Sequence, residues 1–432
     1  MVRIPPGVDV PLTERVRRLI DTAPFRRLAH IRQLGLVSLV YPAANHTRHE
    51  HSLGVFLAAI EYLDRLAADE RFAAAVSTKD AESLLAAALL HDVGHFPFGH
   101  PVEDLHLPHV PGHEELACRY IRSGEIASVL RDAWELDPAA VADLVCGKPA
   151  GRTQRILQSI LSGPIDVDKI DYLMRDSLHA GVPYGQHFDR RRLIGSLCLN
   201  DAGDGLAITD KGKPAAEMMV FARYVMFSEV YWHHAVRSAT AMLQRAIYLL
   251  FDDLKSKVDR WIALDEAALV DYLFAIDENS PAAALLDGIF RSTRSLYKRL
   301  AQYSYFEHPK MYRLMARRPY AELVGFSEGI AQMLDGALGQ SVAAHDVLVD
   351  APPTELEVEF NVDVYFPKQE TYRPLGDISP VVRTLAREQF DDYVKRVRIF
   401  VHPRLAAEAQ GMPHLNERLA NAIEECSTDG GR

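Results

Sequence analysis

The run Leu84-Leu85-Ala86-Ala87-Ala88-Leu89-Leu90 is apolar on every side and ends on His91 and Asp92. A helix without a polar face belongs in a core, so other helices must be folded around it. A lone carboxylate at the end of such a run is expensive to bury, and a divalent cation is the natural compensation. Imidazole nitrogen and carboxylate oxygen are both common ligands. The stretch continues Val93-Gly94-His95-Phe96-Pro97-Phe98-Gly99-His100, adding two histidines around two glycines and a proline.

Around this run the periodicity is helical from Leu12 to about Ile121, with apolar residues recurring every three or four positions. His51 opens a helix carrying Leu53, Phe56, Leu57, Ile60 and Leu63, and Lys79 to Leu90 forms the helix that presents His91-Asp92. Residues 97–112, rich in Pro and His, read as loop. Helices are predicted over 125–134, 137–146 and 153–162, then after the Ser162-Gly163-Pro164 break, where Asp168, Tyr172 and Asp176 share one stripe. Leu197–Leu199 and Leu206–Ile208 flank a Gly/Asp turn as a β-hairpin. Long helices are expected from Pro214 to about Leu254 and from Leu264 to about Leu334. After Pro352-Pro353 the pattern shifts. Leu356–Phe366 alternates as a strand, Arg396–Val401 is its expected partner, and a helix over Val381–Tyr393 lies between them. The fold class is mainly α: a helical bundle with a β-hairpin and a small C-terminal α+β lobe. The chain divides into a helical core (1–250), a helical extension (251–350) and the lobe (351–432).

The length of 432 residues allows more than one packed unit, and 48% hydrophobic with 25% charged residues is ordinary for a globular protein. A net charge of −11 argues against nucleic acid as a partner while leaving room for a local basic pocket. Cys118, Cys146, Cys198 and Cys426 form no CxxC pair, which argues against a disulfide framework and a thiolate zinc site and for a reducing cytoplasm. No apolar signal segment opens the chain, and no run approaches the ~18 apolar residues of a membrane span.

His51, His91, Asp92 and Asp168 together form a nitrogen and carboxylate set able to hold one divalent ion with positions left for water. Such an ion acidifies bound water and neutralises phosphoryl charge. Thr47–Val55, His91–His100 and Ile165–Tyr172, in that order, resemble the motifs of the HD-domain phosphohydrolases, in the branch of the deoxynucleoside triphosphate triphosphohydrolases. The resemblance is clear over roughly residues 12–250. It implies that His51, His91, Asp92 and Asp168 ligate one divalent metal of the Mn, Mg, Fe, Co, Ni or Zn class. It further implies that His100, with Glu103, handles a proton, and that His113 and His95 are active-site histidines. Arg48, Lys169 and Arg223 match phosphate ligands. Gln33, Tyr172 and Asp176 match sugar contacts, and Tyr231 a base-side contact. Phe227 departs from a substrate-contacting histidine of a family member, and Arg26 and Ala29 depart from its nucleotide-activator contacts.

The expected reaction is cleavage of a deoxynucleoside triphosphate to deoxynucleoside and triphosphate. Tyr172 would crowd the 2′ position, and His100 would protonate the departing sugar oxygen. Two rivals remain: a phosphomonoesterase or phosphodiesterase on another nucleotide, and a non-enzymatic nucleotide or nucleic-acid binding module with a structural metal. The family also implies a homo-oligomer.

Overall fold

The computed structural model describes residues 1–147, 149–354, 361–387, 392 and 394–429. Helices dominate, as the periodicity predicts, and contacts group the chain into two units. One comprises Met1–Pro97, Pro111–Met226 and Val358–Phe390; the other comprises Phe98–Val110, Phe227–Glu357 and Asp391–Arg432.

At the centre of the first unit is the helix Thr78–Leu90, started by a reciprocal capping box between Ser77 and Asp80. Its Leu84, Ala86, Ala87, Ala88, Leu89 and Leu90 are buried. Each fully buried leucine contributes roughly 1.5–3 kcal/mol. The helices Arg48–Leu66, Pro138–Val145 and Arg152–Ser162 pack around it. Val167–Ala180 packs on Arg48–Leu66, and Tyr62 Oη donates to the Ile165 carbonyl (2.8 Å) across that interface. The predicted hairpin is present, Leu197–Leu199 pairing antiparallel with Leu206–Thr209. A short hairpin that the periodicity did not signal, Val2–Ile4 with Val8–Val10, opens the chain.

In the second unit, Val397–Val401 is the middle strand of a three-stranded antiparallel sheet between Lys298–Tyr303 and Val347–Asp350. This corrects its expected partner. All five of its residues are buried, and a strand so enclosed needs pairing on both edges. Of the strand expected over Leu356–Phe366, residues 355–360 lie outside the described residues. The remainder, Asp363–Phe366, pairs parallel with Leu206–Thr209 and antiparallel with Thr371–Pro374, within the first unit. The helix expected over Val381–Tyr393 begins at Pro380–Val382 and continues as the π-turn Arg383–Arg387; residues 388–391 and 393 lie outside the described residues.

Two long helical stretches are interrupted. Lys298–Tyr303 breaks the one expected from Leu264 to Leu334. The π-turn Phe227–Tyr231 breaks the other, ahead of His234–Leu254, whose N-cap His233 accepts from the Ala235 amide through Nδ1. Within the expected loop 97–112, Gly99–Glu103 forms a helical turn. No helix among the described residues is long and apolar enough to cross a membrane.

The cysteines require a correction. Cys118, on the helix His113–Arg122, and Cys146, at the end of Pro138–Val145, form a disulfide with Cα atoms 6.6 Å apart, within the range that a bridge spans. Packing brings these two helices together, which spacing along the chain does not reveal.

Candidate metal centre

Three helices deliver the proposed ligands within the first unit. Thr47 caps Arg48–Leu66 by accepting from the Glu50 amide, which places His51 one turn into the helix. His91 ends Thr78–Leu90, its Nδ1–H donating to the Ala88 carbonyl at 2.9 Å. That bond fixes the tautomer and leaves Nε2 for a ligand role. Asp166 caps Val167–Ala180 by accepting from the Lys169 amide (2.7 Å), which sets Asp168 in the first turn.

The turn after His91 is shaped by close packing. The Val93 amide bonds Leu90 O and the His95 amide bonds Asp92 O, both at 3.0 Å. A Cβ at Gly94 would lie 2.1 Å from the His113 carbonyl oxygen and 2.2 Å from the Ala117 amide nitrogen, so only glycine lets this turn seat on the His113–Arg122 helix. That seating stacks His113 on His95, with centroids 3.8 Å apart and planes 13° apart.

The ligand atoms converge. His51 Nε2 lies 3.3 Å from His91 Nε2, 3.0 Å from Asp168 Oδ1 and 3.9 Å from Asp92 Oδ2. His91 Nε2 lies 3.5 Å from Asp92 Oδ1 and 3.8 Å from Asp168 Oδ1. Ligands about 2.1 Å from a common ion stand about 3–4 Å from one another. His51, His91 and Asp92 offer ligand atoms all within 4.8 Å of one another and could hold one divalent cation, with Asp168 beside the two histidines. His51 and Asp92 are enclosed, whereas the Asp168 side chain is 33% exposed, which opens the cluster on its side.

Charges around the cluster are arranged to keep the carboxylates ionised. Burial alone would raise Asp92, but Arg48 (Nη1 to Oδ2, 2.7 Å), His95 (Nε2 to Oδ1, 3.2 Å) and His91 hold it well below the usual carboxylate range. Burial, with Arg48 and His113 nearby, keeps His95 well below the usual imidazole range and therefore neutral. His51 goes the other way. Burial opposes its charge, yet Asp168 and Asp171 together push it up to about 10. Asp171, which the motif reading passed over, accepts from His51 Nδ1–H at 2.8 Å and is held at about 2, its burial outweighed by Arg175 and His51.

The other expected residues fall in different places. Arg48 pairs with Asp92, and Lys169 Nζ bonds Asp166 Oδ2 (2.7 Å) and the Gly163 carbonyl (3.2 Å). Tyr172 lies half-buried and Asp176 buried on the ligand-bearing helix, where Asp176 Oδ1 accepts from His46 Nε2–H at 2.8 Å. Among the described residues, buried Gln33 Oε1 and His46 Nδ1 meet no hydrogen-bond partner, and the Gln33 backbone N–H donates to the His46 carbonyl. Arg223 is buried near the end of Lys213–Met226, a helix that packs on Val167–Ala180. His100, Glu103 and Tyr231 belong to the second unit. There His100 Nδ1 and Glu103 Oε2 are 3.5 Å apart, and Tyr231 meets Phe227 edge to face at 5.0 Å. Beyond Asp171, the motifs did not signal Arg175, Glu50, His46 or His179. The Asp171/Arg175 spacing of four, one helical turn, was the available clue.

Comparison with known proteins gives the family. Residues 48–173 match the HD domain, and residues 188–409 match the HD associated region. An uncharacterised protein of Methanocaldococcus jannaschii, MJ1154, is 31% identical over 379 residues, covering 87% of this chain and 74% of its own. The crystal structure of a hypothetical protein from Aquifex aeolicus superposes with a TM-score of 0.71 at 29% identity, covering 93% of this chain and 96% of its own. The deoxynucleoside triphosphate triphosphohydrolase SAMHD1 of Mus musculus is 34% identical over 206 residues, covering 41% of this chain and 31% of that protein. The chain belongs to the HD-domain phosphohydrolase superfamily, in the branch that includes the deoxynucleoside triphosphate triphosphohydrolases.

Proposed function

We propose that the protein hydrolyses deoxynucleoside triphosphates to deoxynucleoside and inorganic triphosphate, using one divalent ion held by His51, His91, Asp92 and Asp168. The observation that carries this reading is the cluster of His51, His91 and Asp92, with the half-exposed Asp168 3.0 Å from His51 Nε2 and 3.8 Å from His91 Nε2. The likeness to the mouse triphosphohydrolase supports the choice of substrate. When bound, the ion supplies charge to a phosphoryl oxygen and acidifies water.

The protein's own groups do the rest. Arg48 and His95 hold Asp92 ionised and oriented, and His113 supports His95 through its stack. Arg48, Lys169 and Arg223 hold the triphosphate, a pairing of cations with polyphosphate. Tyr172 walls off the 2′ carbon and so favours deoxyribose. Asp176 accepts from the 3′ hydroxyl, Gln33 contributes a further sugar contact, and Tyr231 flanks the base. His100, paired with Glu103, gives its proton to the departing sugar oxygen. We further read the protein as a homo-oligomer, which light scattering of the purified protein would test.

Product analysis tests the reaction. With Mn2+, Mg2+, Fe2+, Co2+, Ni2+ or Zn2+, each deoxynucleoside triphosphate is expected to yield deoxynucleoside and triphosphate in equal amounts. Monophosphate with pyrophosphate as products, or turnover only of simple phosphate esters, would contradict the proposal.

A further inference from the structure

Behind His51 stands a chain of buried and half-buried polar groups, Asp171, Arg175, Glu50, His179 and His46, that the proposed reaction does not use. His51 Nδ1–H donates to Asp171 Oδ2 (2.8 Å). Arg175 grips both Asp171 oxygens, Nε to Oδ2 at 2.8 Å and Nη2 to Oδ1 at 2.7 Å, and extends Nη1 to Glu50 Oε1 at 2.6 Å. His179 Nε2 meets the same Glu50 oxygen at 2.9 Å and stacks on His46, which holds Asp176. The chain therefore runs from a metal ligand to the proposed sugar contact inside one unit.

The backbone makes room for it. A Cβ at Gly54 would lie 1.9 Å from Asp171 Oδ1 and 2.2 Å from Arg175 Nη2. Gly54 is three residues after His51 on the same helix, so the ligand and the gap for its carboxylate partner share one helical face. Helix packing alone would not demand an empty position filled by an ion pair. A carboxylate that receives the far N–H of a ligating imidazole fixes the ring's orientation and raises its basicity.

We infer that Asp171 is a positioning residue for the metal centre, locked by Arg175 and Glu50 and admitted by Gly54. This rests on the metal reading above. Asp171 touches no substrate; it acts by aiming His51 Nε2 at Asp168, His91 and Asp92.

The experiment measures Mn2+ dissociation constants of the full-length protein by competition with a chelating dye. It compares wild type with Asp171→Asn, Asp171→Glu and Gly54→Ala, and follows thermal unfolding of each after chelation. Asp171→Asn should weaken Mn2+ about 10–100-fold. Gly54→Ala, which changes no ligand, should weaken it in the same direction, and Asp171→Glu should recover part of the affinity. A purely structural role would lower the melting temperature and leave the dissociation constant of the folded protein alone. Tight wild-type binding that Asp171→Asn leaves unchanged would overturn this inference alone. Wild type that binds no Mn2+ would overturn the metal reading and the inference with it.

Discussion

Loading a divalent ion should expel a proton from His51. In the metal-free protein its ring lies between Asp168, 3.0 Å from Nε2, and Asp171, 2.8 Å from Nδ1, and both nitrogens hold protons up to about pH 10. Ligation through Nε2 requires that proton to leave. At pH 7 the displacement spans about three pH units, or on the order of 4 kcal/mol of the intrinsic binding energy. Apparent affinity should therefore rise about tenfold per pH unit, or about a hundredfold between pH 6.5 and 8.5. The same shift has a stability consequence with a definite sign. Because the folded value is raised, the stabilisation is fully present below about pH 6.5 and is lost as pH rises through about 10. The chelated protein should weaken across that window. Calorimetric Mn2+ titration in buffers of different ionisation enthalpy reads the proton directly, at about one released per ion near pH 7. Binding that takes up protons, or affinity flat from pH 6.5 to 8.5, would refute the reasoning.

Three further outcomes follow from the same contacts. Arg48→Met leaves Asp92 buried without its guanidinium, so the chelated protein should lose about 3–5 kcal/mol in denaturant unfolding, and saturating Mn2+ should restore part of the loss. Gly94→Ala drives a methyl into the backbone of the His113–Arg122 helix; a loss of about 1–3 kcal/mol, with turnover falling because the His91-Asp92 turn lifts, is expected from melting and rate measurements. Alkylation of the unfolded, unreduced protein should find two reactive thiols, Cys198 and Cys426, with Cys118 and Cys146 released only by reductant; four thiols before reduction would contradict the disulfide.

The cluster of His51, His91 and Asp92 was legible because its members sit on strongly periodic helices beside a distinctive motif. His91-Asp92 ends an all-apolar run, and Asp168 opens a stripe of polar residues. What balances Asp92 was not legible. Arg48 lies 44 residues away, and only the packing of two helices shows that its Nη1 donates to this carboxylate. The same limit hid the chain behind His51: Asp171 and Arg175 announce themselves as a helical pair, but Glu50 and His179 meet them only through tertiary structure.

Strand partners failed for a related reason. Alternation marks a strand, yet it carries no information about which edge receives it, so the pattern alone pairs Val397–Val401 with the nearest expected strand, whereas its partners are Lys298–Tyr303 and Val347–Asp350. Lys298–Tyr303 itself is too short to stand out between helices. Read linearly, a chain yields contiguous segments, whereas each unit here is assembled from three separated stretches.

Anomalous diffraction from crystals soaked in Mn2+ tests the central claim most directly. The account predicts one peak bonded to His51 Nε2, His91 Nε2, Asp92 and Asp168 at about 2.0–2.3 Å, absent from Asp92→Ala crystals. Strong manganese density elsewhere, or none among these four side chains, would contradict it.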